Sequence, residues 1–428
     1  MKIGVLGSGG REHAIAWKIL QSPMCSEVVV VPGNDGMTIT QGIRTVSIDP
    51  SDFDALENLF KTEQLDLIVV GPEVLLDKGI VDRFESKIPI LGPSAAAAQM
   101  ESSKAFAKSI MKEANVPTAQ YKVCSSKDTL SFIEQHPFPQ TLVLKADGLA
   151  AGKGVFLCTT KKEALEAHQY LFSKLNINTV LIEEYMEGWE VSAFALCSGT
   201  DFVYLGAACD YKRLQDGDLG PNTGGMGAYT PPSQITPKLE HQIQDHIFDP
   251  VLKELARRGT PYKGILYAGL MITGPSKDPT AKVVEFNARF GDPETQVLLP
   301  SITTDLVPLF LSAAQGSLTP IEIEHKNGHF VEVVIASEGY PGLGEIVQKG
   351  RIIQLPTDPK SLLFSAALQM KDEKWTANGG RVLGLTAQGL TLSEAREAVY
   401  SDVSNVSLKG ARYRTDIGAM DNEKSNVE

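Results

Sequence analysis

The chain has 428 residues, a formal net charge of −12 and a hydrophobic fraction of 43%. A chain of this length exceeds a single hydrophobic core, so we expect roughly two to four domains. The negative charge argues against a general nucleic-acid surface, because such surfaces neutralise phosphates with an excess of basic residues. Five scattered cysteines form no CxxC pair or zinc-ligand spacing, and no apolar run approaches the roughly 20 residues of a membrane span. We expect a cytoplasmic protein that binds neither nucleic acid nor a membrane.

The N-terminal part alternates short apolar strands with helices. Residues 2–6 form the first predicted strand, and Gly7, Gly9 and Gly10 lead into a helix. This alternation predicts a doubly wound, Rossmann-like parallel sheet with ligands at the carboxyl ends of its strands. Glu12 stands where the dinucleotide fingerprint GxGxxG requires its last glycine, which disfavours NAD(P). A phosphate-bearing small molecule at the helix N-terminus is the favoured ligand, and a structural glycine turn is the alternative.

A single long helix is predicted over residues 95–113, with Lys104 and Lys108 on its polar face. A helical lysine is by itself typical of a solvated face, so Lys104 gains importance only from the motifs that follow it. Residues 121–184 then change to short strands around one helix. This change predicts a small α+β lobe beside the first domain.

A glycine-rich loop follows a buried strand inside this lobe. The strand carries Lys145, and the loop contains Gly148, Gly152, Lys153 and Gly154. The P-loop pattern GxxxxGK[ST] is not matched, because the glycine spacing is shorter and Gly154 replaces the hydroxyl residue. A second apolar strand, rather than a helix, follows the loop. We therefore predict a mobile flap that lies over phosphates, rather than a Walker cradle.

Glu285 and Asn287 stand two apart in a run of apolar and β-branched residues, 282–287. Because successive side chains of a strand point to opposite faces, both oxygens are expected on the same face. Carboxylate and amide oxygens of this kind hold Mg²⁺ against the phosphates of a nucleotide. The sequence predicts a Mg²⁺ site here, with Mn²⁺ as the alternative ion.

The longest glycine-rich loop begins at Asp210 and carries Lys212, Arg213 and Asp218. A long loop of this composition is typical of a functional segment. Its fixed charges of both signs suit a zwitterionic or phosphorylated ligand. From residue 330 onward, the pattern predicts a further β-rich unit.

The order of these features is more specific than any one of them. A helix lysine, a strand lysine, a glycine flap and a terminal Glu-x-Asn strand together resemble the ATP-grasp superfamily, in which two α+β lobes clamp ATP. The resemblance implies that lysines contact the phosphates, backbone groups hold adenine and an acidic side chain takes the ribose hydroxyls. The residues implied to contact the nucleotide are Lys104, Lys145, Gly152, Lys153, Gly154, Glu183, Glu184, Met186 and Glu190. The implied metal ligands are Glu285 and Asn287.

Longer motifs narrow the resemblance. The stretches GSGGREHAIAWK, KADGLAAGKGV, DGDLGPNTGGMGAYTP, NARFGDPETQ and GGRVLGLTA are similar to those of the phosphoribosylamine-glycine ligase family, over positions 7–387. The resemblance implies the second step of purine synthesis. In that C–N ligation, ATP, glycine and 5-phosphoribosylamine give glycinamide ribonucleotide, ADP and phosphate through a glycyl phosphate.

Site residues follow from the same resemblance. The implied catalytic residues are Arg289, Lys145 and Asp210. The implied substrate-binding residues are Gly9, Gly10, Glu73, Asp210, Lys212, Arg213, Arg289, Gly291 and Asp292. Asp292 and Glu294 have an alternative role as helix cap and first-turn acid. Tyr211 and Val74 stand where the family pattern has histidine and proline, so their effect on substrate contacts stays open.

The expected architecture is multidomain, of the α/β and α+β classes. Residues 1–102 form a substrate-binding α/β domain, 103–327 an ATP-grasp domain with a mobile lid lobe at about 120–190, and 328–428 a β-rich cap. We expect a monomer with transient contact to the enzyme that supplies phosphoribosylamine. The alternative functions are a catalytically silent ATP-binding scaffold, a Rossmann oxidoreductase and a carboxylase that uses bicarbonate.

Overall fold

The computed structural model describes residues 1–149, 154–275 and 277–419. The chain begins with a five-stranded parallel sheet in the order β3-β2-β1-β4-β5. Its elements are β1 (Lys2–Gly7), α1 (Gly10–Ile19), β2 (Glu27–Pro32), β3 (Ile43–Thr45), α2 (Phe53–Glu63), β4 (Leu67–Val70), α3 (Glu73–Asp77), α4 (Ile80–Phe84), β5 (Ile90–Leu91) and α5 (Ala95–Ser102). The inner residues of β1, β2 and β4 are buried on both faces, as parallel strands covered by helices require. The predicted doubly wound domain is confirmed.

The prediction of one helix over 95–113 is wrong. Helix α5 ends at Ser102, and a new helix, α6 (Lys104–Glu113), begins after an extended Ser103. Ser103 Oγ accepts a hydrogen bond from Phe106 N at 3.1 Å, and Asp147 Oδ1 accepts one from Ala105 N at 3.1 Å. Serine and aspartate oxygens satisfy the free amides of a helix start, and this local capping interrupts the apolar periodicity.

The next lobe has a four-stranded antiparallel sheet in the order β6-β9-β7-β8. Its elements are β6 (Tyr121–Cys124), α7 (Ser126–Gln135), β7 (Leu142–Ala146), β8 (Val155–Cys158), α8 (Lys161–Gln169) with a π turn at Tyr170–Lys174, and β9 (Val180–Glu184). A separate small core, with Cys124, Ile133 and Leu144 among its members, holds this lobe together. A strand follows the glycine-rich loop, as the sequence predicted.

An eight-stranded sheet forms the centre of the molecule, in the order β16-β15-β10-β11-β14-β17-β22-β19. The elements of this middle part are β10 (Trp189–Gly199), β11 (Asp201–Asp210), β12 (Arg213–Gln215), β13 (Leu219–Asn222), β14 (Gly227–Thr230), α9 (Pro237–Ile243), α10 (Asp249–Arg257), β15 (Tyr262–Thr273), β16 (Thr280–Asn287), α11 (Thr295–Ser301) and α12 (Leu306–Ala314). Strands β12 and β13 form a separate two-stranded hairpin.

The last part of the chain is rich in strands. Its elements are β17 (His329–Ala336), β18 (Arg351–Gln354), β19 (Leu362–Ser365), β20 (Leu368–Lys371), β21 (Lys374–Ala377), β22 (Arg381–Gly389), α13 (Leu392–Val403) and β23 (Ser407–Leu408). Strand β17 pairs with β14, so β17, β22 and β19 extend the central sheet, while β20, β21, β18 and β23 form a second one. The C-terminal strands are therefore anchored directly beside the loop that starts at Asp210.

Within the described part of the chain, no helix combines the length and apolar character that crossing a bilayer requires.

Candidate active site

Two lysines share one buried carboxylate beneath the lid lobe. Glu183 Oε2, on β9, lies 2.9 Å from Lys145 Nζ on β7 and 3.3 Å from Lys108 Nζ on α6. All three side chains are at most 6% exposed. Burial lowers the pKa of Lys108 to about 8, against the opposing charge of Glu183. Glu183 thus places one negative charge between two lysines that would otherwise be buried without a counter-ion.

The same lysines contact the strand that carries the predicted metal ligands. Lys145 Nζ donates to the Val284 carbonyl at 3.4 Å. Lys108 Nζ donates to Thr118 Oγ1 at 2.8 Å, and Thr118 Oγ1 donates to the Val283 carbonyl at 2.6 Å. The register between β15 and β16 shifts here, because Gly269 pairs with Glu285 while Leu270 pairs with Val283. Val284 is the extra residue of a β-bulge, a feature that redirects side chains at functional sites.

Glu285 and Asn287 lie beyond this bulge on one face of β16. Phe286 between them is buried on the opposite face, and both polar residues are partly exposed. Among the residues that the structure describes, neither side-chain oxygen has a hydrogen-bond or ion-pair partner. Two available oxygens on one face match the donor set of a Mg²⁺ ion that also binds phosphate.

A small pocket lies next to this pair. Its lining includes Glu190, Asp210, Lys212, Tyr267 and Glu285. Lys212 Nζ lies 2.6 Å from Glu190 Oε2 and 4.0 Å from Asp210 Oδ1. Burial raises the pKa of Asp210, and the charge of Lys212 opposes that rise. The pocket therefore offers charges of both signs within one small volume.

Of the remaining predicted nucleotide contacts, Lys104, Gly154, Glu184 and Met186 lie in the described part of the chain. Lys104 Nζ donates to the Gly148 carbonyl at 3.2 Å, so the helix lysine touches the start of the glycine-rich loop. The Gly154 carbonyl accepts from Ala146 N at 2.7 Å and closes the loop's other end. Glu184 Oε1 accepts from Gln120 N, and Met186 is partly exposed after β9. Gly152 and Lys153 lie outside the described residues.

Arg289 stands two residues beyond the predicted metal-ligand pair and joins two carboxylates from the N-terminal part. Its Nε lies 3.0 Å from Glu73 Oε2 and its Nη2 lies 3.0 Å from Glu101 Oε1. Glu101 Oε2 also accepts from Ala288 N at 2.7 Å. Burial opposes the charge on Arg289, but Glu101 and Glu73 hold the pKa of the guanidinium above its usual value. The planar fork of arginine suits this two-sided arrangement.

The N-terminal glycine turn is closed by Glu12. Its Oε2 accepts from Gly9 N at 2.7 Å, and its Oε1 lies 2.6 Å from Arg11 Nε. A Cβ at Gly7 would lie 2.5 Å from Glu12 Cγ, and one at Gly71 would lie 2.2 Å from Glu12 Oε1. The glutamate thus occupies the space that a dinucleotide-binding turn keeps open with glycine. Glycine at positions 7 and 71 is required to make room for it.

Asp292 connects this turn to the C-terminal strands. Its Oδ2 lies 2.8 Å from Arg381 Nη2, and its Oδ1 accepts from Gln296 Nε2 at 2.9 Å. A Cβ on Gly9 would lie 3.6 Å from Asp292 Oδ2, so the aspartate faces the glycine turn. Burial opposes ionisation, but the charges of Arg381 and Arg11 hold the pKa of Asp292 below its usual value.

The alternative role of Asp292 as the helix cap and of Glu294 as the first-turn acid is wrong. Glu294 occupies the N-cap position of α11, but its side chain makes no capping hydrogen bond. Its buried carboxylate instead has Oε1 2.9 Å from Ser192 Oγ, which lies 2.9 Å from the Tyr267 hydroxyl. A Cβ at Gly291 would lie 2.5 Å from Glu294 Oε2, so glycine makes room for this contact. Glu294 therefore links the Asp292 region to the pocket wall.

The predicted substrate contact Arg213 does not line the pocket. Arg213 Nη1 donates to the Gly220 carbonyl at 2.8 Å and closes the β12–β13 hairpin. Tyr211 is buried, and its hydroxyl accepts from Gly418 N at 2.9 Å. The Val74 side chain is 46% exposed. Neither departure from the family pattern lies among the pocket residues.

Sequence reasoning missed several residues of this site. Glu101, Arg11 and Arg381 are brought in by partners 187, 279 and 89 positions away. Arg381 lies in the quoted motif GGRVLGLTA, and Lys108 shares its helix face with Lys104. The motif could have indicated Arg381 and the shared helix face could have indicated Lys108, whereas no sequence pattern indicates Glu101.

Buried lysines of the small antiparallel lobe contact a strand whose Glu285 and Asn287 side chains have no partner among the described residues, and this is the arrangement of an ATP-grasp protein. Family models of phosphoribosylglycinamide synthetase match the chain in three parts: the N domain over 1–101, the ATP-grasp (A) domain over 102–295 and the C domain over 330–420. The chain belongs to the phosphoribosylglycinamide synthetase family.

Individual relatives agree over the whole length. The chain is 43% identical to a phosphoribosylamine--glycine ligase of Leptospira interrogans, with 98% of each sequence covered. It is 40% identical to one of Brucella melitensis, with 100% of each covered. The crystal structure of a phosphoribosylamine--glycine ligase from Thermotoga maritima matches with a TM-score of 0.84 and 35% identity, covering 97% of this chain and 100% of that one.

A more distant structure shows the fold alone. The biotin carboxylase of Campylobacter jejuni matches with a TM-score of 0.73 at 15% identity, covering 99% of this chain and 96% of that one. The ATP-grasp architecture predicted from the sequence is confirmed.

Proposed function

We propose that the chain is an ATP-dependent ligase that joins glycine to 5-phosphoribosylamine and releases glycinamide ribonucleotide, ADP and phosphate, the second step of purine synthesis. The observation that carries this proposal is the end of β16. Within five consecutive positions it carries Glu285 and Asn287, which follow the Val284 carbonyl that Lys145 contacts, and Arg289, which binds Glu73 and Glu101. The end of β16 thereby joins the region that we assign to the phosphates of ATP to the region that we assign to phosphoribosylamine. A two-step ligation requires these two regions to be adjacent.

The nucleotide occupies the space between the lid lobe and the central sheet. Lys145 and Lys104 contact its phosphates, with the loop that contains Gly152, Lys153 and Gly154 lying over them. Glu184 and Met186, at the end of β9, contact adenine, and Glu190 takes the ribose hydroxyls. Glu183 acts through the lysines, since its carboxylate is already bound to Lys145 and Lys108.

Glu285 and Asn287 are the residues that would hold Mg²⁺, and Mn²⁺ satisfies the same oxygen donors. The bound ion would neutralise charge on the phosphates. The unengaged oxygens on one face of β16 support this assignment. Lys145 is tied to the backbone of the same strand, so it and the ligands keep a fixed relation.

Two displacement steps account for the reaction. An oxygen of the glycine carboxylate attacks the γ-phosphorus, the bond to the bridging oxygen breaks, and ADP leaves a glycyl phosphate. The nitrogen of phosphoribosylamine then attacks the carbonyl carbon, loses a proton and expels phosphate. Both steps depend on alignment and charge neutralisation rather than on a side-chain nucleophile.

The pocket and the contacts of Arg289 with Glu73 and Glu101 align the substrates. Asp210 accepts the glycine ammonium group, and Lys212 lies beside the carboxylate end. Arg289 stabilises the developing charge on the acyl phosphate, held in place by Glu73 and Glu101. Gly9, Gly10, Gly291 and Asp292 face the phosphoribosylamine. Arg213 contributes indirectly, by closing the hairpin.

We assign each part of the chain to one substrate or to one part of the reaction. Residues 1–102 bind phosphoribosylamine, 103–327 bind ATP and glycine, with a lid at about 120–190, and 328–428 cover the acceptor side. We place the enzyme in the cytoplasm as a monomer that meets the phosphoribosylamine-producing enzyme transiently.

Isotope transfer tests the intermediate. Glycine labelled with ¹⁸O in its carboxylate is incubated with ATP and freshly generated phosphoribosylamine, and the phosphate is analysed by mass spectrometry. A glycyl phosphate route transfers one labelled oxygen from each reacting glycine to phosphate. Product formation with unlabelled phosphate would refute the acyl phosphate step.

A further inference from the structure

Arg414 is a fully buried arginine far along the chain from every predicted site residue, with 0% of its side chain exposed. Its Nη1 lies 2.7 Å from Asp218 Oδ1 and donates to the Arg213 carbonyl at 3.2 Å. Its Nε and Nη2 lie 2.7 and 2.6 Å from the two oxygens of Asp416. The guanidinium also stacks on the Tyr211 ring, 4.7 Å from its centroid. A buried arginine is retained only where its donors are satisfied. Here Asp416 satisfies Nε and Nη2, and the β12–β13 hairpin satisfies Nη1.

Neighbouring residues of the same segment bind the tip of that hairpin. Asp216 accepts from Thr415 N at 2.8 Å and from Thr415 Oγ1 at 2.5 Å. Gly217 N donates to Asp416 Oδ2 at 2.8 Å. Residues 414–418, which we name the clamp segment, thus contact both the tip of the hairpin and its start.

The hairpin needs such support. It consists of two strands of three and four residues that pair only with each other. An isolated two-stranded hairpin is marginally stable in water, so its conformation depends on contacts with the rest of the chain. Asp210 and Lys212, which line the pocket, immediately precede it. Asp210 is held in the central sheet by its pairing with Ala228, so a shift of the hairpin would move Lys212 relative to Asp210 and Glu285.

We propose that the clamp segment sets the position of Lys212 relative to Asp210 by holding the β12–β13 hairpin, and that Arg414 is its central positioning residue. The inference rests on the proposed function for its kinetic consequence, because those two residues are there assigned to glycine. It also explains Tyr211, whose ring and hydroxyl contact the clamp segment rather than the pocket.

The test uses a double variant of the full-length protein, Asp216→Asn with Asp218→Asn. Both residues are exposed on the hairpin tip, and Asp416 still pairs with Arg414, so we expect the fold to persist. Glu345→Gln is the matched control. It removes a surface ion pair with Arg412, 2.7 Å from Glu345, close to the clamp segment but without contact to the hairpin.

Two readouts are measured. We expect the double variant to raise the KM for glycine by roughly tenfold while the KM for ATP stays within about twofold and the melting temperature within about 2 °C. We expect trypsin to cleave after Lys212 or Arg213 roughly tenfold faster than in wild type, because local opening of the hairpin governs access. The control variant should match wild type in both readouts.

Cleavage at the wild-type rate would overturn the proposal, since the clamp segment would then not hold the hairpin. Faster cleavage with an unchanged KM for glycine would also overturn it, because the hairpin would not position the pocket charges. An equal rise in the KM for glycine and the KM for ATP, together with a lower melting temperature, would show that the contact only stabilises the fold. That result would also overturn the proposal. A wild-type chain without glycine-dependent ADP release would refute the proposed function instead, and the cleavage rates would still decide whether the clamp holds.

Discussion

The lysine side and the arginine side of the site are built in different ways. On the lysine side, Lys145 and Glu183 lie on adjacent strands of one small sheet, and Lys108 lies on the helix just before it. On the arginine side, Arg289 binds Glu73 and Glu101, which are 216 and 188 positions earlier in the sequence. The first is built from neighbouring parts of the chain, and we assign it to the phosphates of ATP. The second ties distant parts of the chain together, and we assign it to phosphoribosylamine. Point charges suffice for phosphate, whereas the planar fork of arginine fixes the geometry of its partners.

The largest expected effect concerns the strand that joins the two sides. Glu285→Ala removes the carboxylate that we propose as a metal ligand, and we expect kcat to fall by about 1000-fold or more, equivalent to about 4 kcal/mol of transition-state stabilisation. Glu285 is partly exposed and unpaired among the described residues, so the melting temperature should stay near that of wild type. ADP release and thermal unfolding check both parts. Lys282→Ala, on the same strand, is the control, and wild-type turnover in Glu285→Ala would remove this residue from the site.

The arginine side is tested by Arg289→Lys. The charge is kept, but a lysine cannot bind Glu73 and Glu101 together in the geometry of the fork. We expect kcat/KM for phosphoribosylamine to fall by about 100-fold, equivalent to about 3 kcal/mol, with the KM for ATP within about twofold.

Arg44→Lys is the matched control, because Arg44 also binds two glutamates, Glu27 and Glu63, on the N-terminal domain surface. Equal losses in the two variants would show that the fork at Arg289 has no special role. A rise in the KM for ATP alone would reassign Arg289 to the lysine side.

The lysine side is tested by Glu183→Gln, which leaves two buried lysines without their shared counter-ion. We expect a loss of about 3 kcal/mol in unfolding free energy and a roughly tenfold higher KM for ATP. Denaturant unfolding and nucleotide titration measure these quantities. Glu187→Gln, at an exposed position nearby, should change neither, and an unchanged KM in Glu183→Gln would mean that Lys145 does not depend on its partner.

A smaller effect is expected from pH, through His13 on the arginine side. His13 Nδ1 accepts from Ser365 N at 2.9 Å, and its Nε2 lies 2.9 Å from Thr40 Oγ1. Burial lowers the pKa of His13 from 6.5 to about 3. Between those values the unfolded chain binds the proton and the folded chain does not. The contribution of His13 to stability is therefore complete above pH 6.5 and is lost as the pH falls toward 3.

Between pH 6.5 and pH 5, wild type should lose about 2 kcal/mol of unfolding free energy that His13→Gln does not lose. Chemical denaturation of both proteins across this range gives the difference. Parallel curves would show that His13 titrates alike in the folded and unfolded chains.

The contrast between the two sides also explains what the sequence could predict. The parallel N-terminal domain, the strand that follows the glycine-rich loop and the Glu285–Asn287 face follow from local periodicity, so the sequence could predict them. The break at Ser103 was not anticipated, because capping by Ser103 and by Asp147 from another lobe competes with an apolar pattern that continues past it. The bulge at Val284 has no local signal either, since it depends on the register against β15.

Prediction from the sequence is more limited on the arginine side. The partners of Arg289 and Asp292 come from segments that only the assembled fold brings together. The burial of Arg414 likewise depends on the contact between the hairpin and the C-terminal segment. The residue types alone could not reveal these pairs, because Glu101 and Arg414 stand in stretches without a motif of their own.

The most direct measurement is ADP release by the purified chain with its substrates added singly and together. The proposed function predicts rapid ADP formation with Mg²⁺ and ATP only when both glycine and phosphoribosylamine are present, and one glycinamide ribonucleotide for each ADP. Equal ADP formation with bicarbonate and without glycine would contradict the ligase assignment and favour a carboxylase-like reaction.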